Sequence, residues 1–135
     1  MMAAWKVGAT GVLALGLLAG CATSDVPVEK EPFEPEYQEI GTRLLDDDLV
    51  AFDLTMTGAR DATDVKRYGD CAAAQYALIR GYGYARHLRT TTQRSGERWQ
   101  GDAIYTISAE RPLGLEILVA EETVLACAEE AIPTV

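Results

Sequence analysis

The stretch LVAFDLTMT, residues 49–57, decides the fold of this chain. Its apolar and polar side chains alternate, so every second residue falls on the same face of an extended strand. The apolar face is formed by Val50, Phe52, Leu54 and Met56. A strand with one apolar face is typical of an antiparallel sheet that packs one side on a core. The stretch therefore predicts such a sheet, with a second layer covering one of its faces.

The residues that follow predict the covering layer. Residues 64–80 carry apolar side chains at spacings of three and four, which is the pattern of an amphipathic helix. Asp61 or Thr63 can cap its N-terminus, and Gly81 is placed to end it. The consecutive alanines 72–74 would let a neighbouring element approach this helix closely.

A β-hairpin and a second helix complete the predicted domain. Residues 82–93 and 98–109 read as two strands joined by a turn at residues 94–97. Residues 115–120 form a fourth strand or lead into a helix over residues 121–132. We expect an α+β fold: a small antiparallel sheet of three or four strands with two helices packed on one face. The expected order is β-α-β-β-(β)-α.

The N-terminal residues 1–20 have the three parts of a secretory signal. Lys6 supplies the positive charge, residues 7–18 are apolar, and small residues follow. The apolar run is too short to span a bilayer as a helix, which needs about 20 residues.

The string Leu18-Ala19-Gly20-Cys21 resembles the lipobox of bacterial lipoproteins. The resemblance implies cleavage before Cys21, a diacylglycerol on its sulfur and acylation of the new amino group. Ala22 at the next position implies sorting to the outer membrane, with the domain facing the periplasm. Two or more acyl chains give stable attachment where one does not. The alternative is a plain signal peptide with an incidental cysteine.

The chain thus divides into a cleaved signal peptide (1–20), a lipid-anchored acidic tether (21–40) and a single α+β periplasmic domain (41–135). Proline and glutamate keep a segment such as the tether extended. Phe33 and Tyr37 are its aromatic residues. They either dock on the domain or on a partner, or are scattered aromatic residues of a linker.

Three cysteines are present: Cys21, Cys71 and Cys127. Lipidation would consume Cys21 and place the other two in an oxidising compartment, where disulfides persist. Two thiols allow one intramolecular pairing, so we predict a Cys71–Cys127 disulfide. The alternative is a free reactive cysteine, which no neighbouring motif supports.

The net charge of the chain argues against a nucleic-acid partner. Cleavage would remove Lys6 and change the formal net charge from −9 to −10, whereas phosphate binding needs clustered positive charge. The acidic run 46–48 lacks the ligand spacing of a calcium loop, and we interpret it as a solvated turn. We predict no metal and no cofactor.

An arginine-rich stretch stands out in this acidic chain. We predict a candidate anion or ligand site there, formed by Arg80, Arg86, Arg89, Arg94, Arg98 and Trp99. His87 lies in the same stretch, and the tyrosines around it could line a groove or belong to the sheet and core: Tyr76, Tyr82, Tyr84 and Tyr105. The favoured alternative is a solvated hairpin edge, because strand alternation would put Arg86 and Arg89 on opposite faces.

The sequence offers little for catalysis, and we predict no catalytic residues. It has one histidine and none of the common nucleophile or phosphate-loop motifs. Asp53, Asp102 and Glu110 could supply a carboxylate pair that cleaves glycosides, but their spacing singles out no pair.

The segment at residues 68–90, containing AAQYALIRGYGYARHLRT, and the terminal CAEEAIPTV resemble small Gram-negative lipoproteins of unknown function. The resemblance implies a shared fold and a shared cysteine pair, with no catalytic residues. Our first hypothesis is a non-enzymatic lipoprotein that binds an envelope protein or another envelope component. The second is a small-ligand or glycan binder using residues 76–105, and the third is a carboxylate-dependent glycan-modifying enzyme.

Overall fold

The computed structural model describes residues 32–135 together with Gly8, Gly11 and Gly20. The predicted signal peptide (apart from these glycines), the predicted lipidation site Cys21 and most of the predicted tether lie outside the described residues. Neither helix that the structure describes is long and apolar enough to cross a bilayer.

The described part of the chain folds into five strands and two helices. In chain order they are β1 (Glu36–Asp46), β2 (Leu49–Thr57), α1 (Ala62–Ile79), β3 (Tyr84–Ser95), β4 (Arg98–Ser108), β5 (Ile117–Val119) and α2 (Ala120–Glu129). The strands form one antiparallel sheet in the order β1-β2-β4-β3-β5. Helix α1 packs across β2, β3 and β4, and α2 packs against α1 and β5. The predicted α+β class is confirmed.

The domain begins before residue 41, because β1 starts at Glu36 and pairs along the whole of β2. Tyr37 packs edge-on against Tyr68 of α1, with 4.8 Å between ring centroids. Ile40 also packs against the core. These apolar contacts make residues 36–40, which we had assigned to the tether, part of the sheet. The sheet therefore has one strand more than the three or four expected.

The core lies between α1 and the apolar face of β2, whose Val50, Phe52, Leu54 and Met56 are all buried. Two glycines allow close contact between the layers. A Cβ on Gly101 would lie 2.6 Å from Cγ1 of Val65, and one on Gly69 would lie 2.9 Å from Oη of Tyr105. Because neither position has room for a side chain, α1 lies directly on the sheet. The alanines 72–74 are fully buried in the same layer.

Asp61, one of the two residues that we predicted as caps, forms the N-cap of α1. Its Oδ1 accepts a hydrogen bond of 2.8 Å from the backbone N–H of Thr63. Asp64 in the first turn pairs with Arg60 at 2.8 Å, where a carboxylate also complements the helix dipole.

A disulfide joins the two helices. Cys71 of α1 and Cys127 of α2 are bonded, with an S–S distance of 2.03 Å, which confirms the predicted pairing. Helix α2 buries only Ala120, Thr123 and Cys127. Val124 packs partly buried against the core, so the attachment of α2 rests mainly on small side chains, this valine and the disulfide.

Candidate functional site

A β-bulge at Leu88 decides which side chains of β3 lie together. Arg86 and His87 pair with Thr106 and Tyr105 of β4, but the next residue paired with β4 is Arg89, opposite Ile104. The extra residue shifts the alternation by one position. Arg86 and Arg89 therefore share the outer face of the sheet, the face not covered by α1, and our expectation that they lie on opposite faces is wrong.

The same bulge brings His87 and Thr90 together on the inner face. Nδ1 of His87 lies 2.6 Å from Oε2 of Glu116, and Nε2 lies 2.7 Å from Oγ1 of Thr90. When Nδ1 carries the proton, it donates to the carboxylate, and Nε2 accepts from the hydroxyl. The hydrogen bond from His87, followed by the charge of Lys66, lowers the pKa of Glu116.

A second polar cluster lies directly beside the histidine, whose ring packs edge-on against Tyr105 at 5.2 Å between centroids. The Tyr105 hydroxyl donates a 2.6 Å hydrogen bond to Asp70, and Lys66 pairs with the same carboxylate at 3.1 Å. Asp70 is only 6% exposed, so it depends on these two donors. Burial, and then the charge of Asp70, raise the pKa of Tyr105 far above its usual range, so its hydroxyl keeps its proton.

Sequence reasoning named His87 but missed Glu116, Thr90, Asp70 and Lys66. In a regular strand, residues three apart lie on opposite faces, so the spacing of His87 and Thr90 gave no signal. Glu116 lies 29 residues from His87 along the chain, and no short motif links them.

Hydrogen bonds attach the 110–116 loop to β3, although both of its leucine side chains are exposed. The backbone N–H of His87 donates to the carbonyl of Glu116 at 3.1 Å, and Arg86 Nε donates to the carbonyl of Leu115 at 3.3 Å. Gly114 has φ +111° and lies against the Arg86 guanidinium, where a Cβ would come within 2.8 Å. Within this fixed loop, Leu113 is 92% exposed and Leu115 is 81% exposed.

The loop lies next to a free strand edge. Strand β5 pairs only with Tyr84–Arg86 of β3, and β3 is otherwise paired with β4 alone. From Leu88 to Ser95, β3 therefore has no strand on its other side among the residues that the structure describes. Such an edge presents unpaired backbone groups.

The predicted arginines do not converge on one site. Arg80 ends α1, where its Nη1 donates to Oη of Tyr76 at 3.0 Å. Arg86 and Arg89 lie on the outer face near one end of β3. Arg98 lies on the same face at the far end, in the first position of β4.

Arg94 and Trp99 do come together, on the inner face at the β3–β4 hairpin. The Arg94 guanidinium lies 5.2 Å from the Trp99 ring centroid. A cavity of about 360 Å³ is lined by this pair and by a second pair, Arg60 and Phe33. The Arg60 guanidinium lies 3.9 Å from the centroid of the Phe33 ring. We call this cavity the Phe33–Trp99 pocket. Phe33 therefore docks on the domain, as one of our two interpretations expected.

Most of the predicted aromatic residues belong to the core instead. Tyr76 and Tyr105 both pack edge-on against Phe52, each with 5.9 Å between centroids. Tyr82 and Tyr84 are half-buried. These tyrosines and the predicted arginines therefore do not line one common groove among the described residues.

The candidate carboxylates form an ion-pair network on the outer face. Asp53 and Asp102 lie directly opposite each other on β2 and β4, and Nη2 of Arg43 lies 3.3 and 3.2 Å from them. Their side chains are 55% and 42% exposed, and the shared guanidinium offsets the repulsion between like charges in facing positions. Glu110 follows the end of β4 and lies outside this network. No cluster of three potential metal ligands occurs within residues 32–135 or at the other described positions.

The geometry defines a small α+β domain with a disulfide-linked helix pair and an exposed loop that is hydrogen-bonded to β3. Residues 37–131 match the family model described as the YNQ4 C-terminal domain, and the chain belongs to this family. It is similar to an uncharacterised 26.9 kDa protein in the nqo8 5′ region of Paracoccus denitrificans. The two are 31% identical over 87 residues, which is 64% of this chain and 34% of that protein. The match thus spans about a third of the length of that curated relative. No solved structure matches the chain.

Proposed function

We propose that this protein is a lipid-anchored envelope protein whose domain is a non-enzymatic interaction module. Its anchor would be Cys21 in the outer membrane, with the domain in the periplasm. The lipobox resemblance and the disulfide, which suits an oxidising compartment, support this location. The observation that carries the interaction role is the 110–116 loop, which exposes Leu113 and Leu115 while its backbone is held in place.

Preorganisation of this loop favours binding. Burying an exposed leucine contributes about 1.5–3 kcal/mol, and two of them supply a useful share of a binding energy. A flexible loop would lose much of this gain when it becomes ordered. Here the hydrogen bonds from His87 and Arg86 fix the loop before binding. An apolar pair fixed next to a free strand edge suits a protein partner.

Site-specific photo-crosslinking in intact cells tests this role. A photoreactive residue at Leu113 is expected to give a discrete protein adduct. The matched control places the same probe at Leu125, which is 68% exposed on α2 and outside the loop. The same adducts from both positions, or none from Leu113, would contradict the proposal.

The anchor is tested separately by Cys21→Ser. We expect this variant to accumulate as an uncleaved precursor. Normal processing and membrane attachment of the variant would overturn the lipid anchor and leave the interaction role to be judged by the crosslinking alone.

One observation favours a second candidate function. Glu116, His87 and Thr90 stand in the order carboxylate–imidazole–hydroxyl at 2.6 and 2.7 Å, as in hydrolases with a nucleophilic hydroxyl. In our main proposal these three hydrogen-bonded residues only fix the loop, so we expect no reaction with a fluorophosphonate probe. Covalent labelling of the wild-type protein that is lost in Thr90→Ala would show a nucleophilic hydroxyl and favour acyl-transfer chemistry instead.

A further inference from the structure

We propose that the Phe33–Trp99 pocket binds a sugar ring of an envelope glycan. The pocket lies at the β3–β4 hairpin, whereas the 110–116 loop contacts β3 at Arg86. The β4 partners of Arg86 and Arg94, Thr106 and Trp99, are seven positions apart, so the two arginines are separated by roughly 23 Å. The inference is therefore independent of the interaction role of that loop.

Three segments build the pocket: the residues before β1, the turn between β2 and α1, and the β3–β4 hairpin. Its volume of about 360 Å³ lies within the range of small-molecule sites. The first segment is kept close by Gly58, which has φ +75°. A Cβ there would lie 2.6 Å from the carbonyl oxygen of Glu34. The absence of a side chain at Gly58 lets this segment pass close by, and the Arg60 guanidinium contacts Phe33 at the rim of the pocket.

The apolar face of a sugar ring would pack on the part of the two aromatic rings that Arg60 and Arg94 leave uncovered. Trp99 is half-buried and Phe33 is 41% exposed. Both rings therefore contact the domain while part of their surface remains accessible. Flat aromatic rings provide large contact areas with little loss of side-chain entropy.

The polar groups of the pocket suit the hydroxyl groups around such a ring. Arg60 and Arg94 are donors, and Glu34 and Glu97 are acceptors. Asp64 fixes Arg60 at 2.8 Å, and the carbonyl of Gly96 accepts from Arg94 Nε at 2.8 Å. Two cations and two anions line the pocket, so no net charge selects a phosphate or a free acid. A ligand rich in hydroxyl or amide groups can satisfy both kinds of partner.

The test is a titration of the full-length protein with an N-acetylglucosamine tetramer and with peptidoglycan fragments released by a muramidase. We expect saturable binding by isothermal calorimetry and a change of tryptophan fluorescence that is absent in Trp99→Phe. Arg94→Gln and Phe33→Ala should each weaken binding at least about tenfold, which corresponds to 1.4 kcal/mol.

Arg111→Gln is the matched control, because it removes the same charge from the 110–116 loop and should leave the affinity unchanged. Phe33 lies outside the buried core, so its variant separates loss of binding from loss of folding. Absence of saturable binding to both probes would overturn the inference. Equal weakening by Arg111→Gln, or binding of inorganic phosphate in place of the sugars, would overturn it as well.

Discussion

Replacing Cys71 and Cys127 together by alanine is expected to lower the free energy of unfolding by about 4 kcal/mol. The bond joins residues separated by 56 positions, and the chain-entropy model gives about 4 kcal/mol for a loop of that length. Alanine is the appropriate replacement because both sulfurs are fully buried, and a serine hydroxyl would be left without a partner.

The loss of stability in the double variant should be largest in α2. The fully buried side chains of this helix are small besides its cysteine, and its main contacts are with α1 and β5. We therefore expect its backbone amides to exchange with solvent much faster in the double variant, while those of β2 and β4 stay protected.

Urea unfolding followed by fluorescence and by hydrogen exchange measures both effects. With a denaturant slope of about 2 kcal/mol per molar urea, the midpoint should fall by about 2 M. Leu125→Ala is the control, since it changes an exposed residue of the same helix and should cost less than about 0.5 kcal/mol. A double variant within about 1 kcal/mol of the wild type, with α2 equally protected, would refute the reasoning.

Three further predictions follow from contacts in the core and at the loop. Tyr105→Phe removes a donor from buried Asp70 and should destabilise the fold by about 1–3 kcal/mol in urea unfolding; an unchanged midpoint would contradict the role of this bond. The pKa of Glu116 is below its ordinary value of 4.5 in the folded protein, so its ionised form stabilises the fold above that pH. This contribution is lost as the pH falls through the folded-state pKa. Glu116→Gln should therefore reduce the slope of the free energy of unfolding against pH below about 4.5. The same slope in variant and wild type would contradict this role of Glu116. Gly101→Ala places a Cβ against Val65 and should cost about 1–3 kcal/mol, whereas a neutral effect would show that α1 can move away from the sheet.

The central layers could be predicted because their signals are local. The alternation of residues 49–57 and the helical spacing of residues 64–80 both depend on burial of one face, which is what a periodic pattern records. The disulfide followed from a different kind of constraint, since two remaining cysteines permit one pairing. Neither inference required knowledge of how distant segments meet.

Strand β1 was missed because two bulges interrupt its alternation. Gln38 and Leu45 have no partner position on β2, so the register shifts at both places. Each shift exchanges the inward and outward positions, and Tyr37 and Ile40 do not follow a period of two although both pack on the core. Because Glu36 and Glu39 each adjoin one of these two residues, the segment has the composition of the acidic tether that precedes it.

The bulge at Leu88 had a larger consequence, because it determines which chemistry the sheet can assemble. Without it, His87 and Thr90 would lie on opposite faces, and Arg86 and Arg89 would be separated in the same way. With it, the imidazole reaches the hydroxyl on the inner face, and the two arginines share the outer face. The sequence shows which side-chain types are present, but their placement depends on the unpaired Leu88, whose own side chain carries no polar group. Candidate sites on such a sheet therefore follow from register, and register requires the strand pairing that a single sequence does not contain.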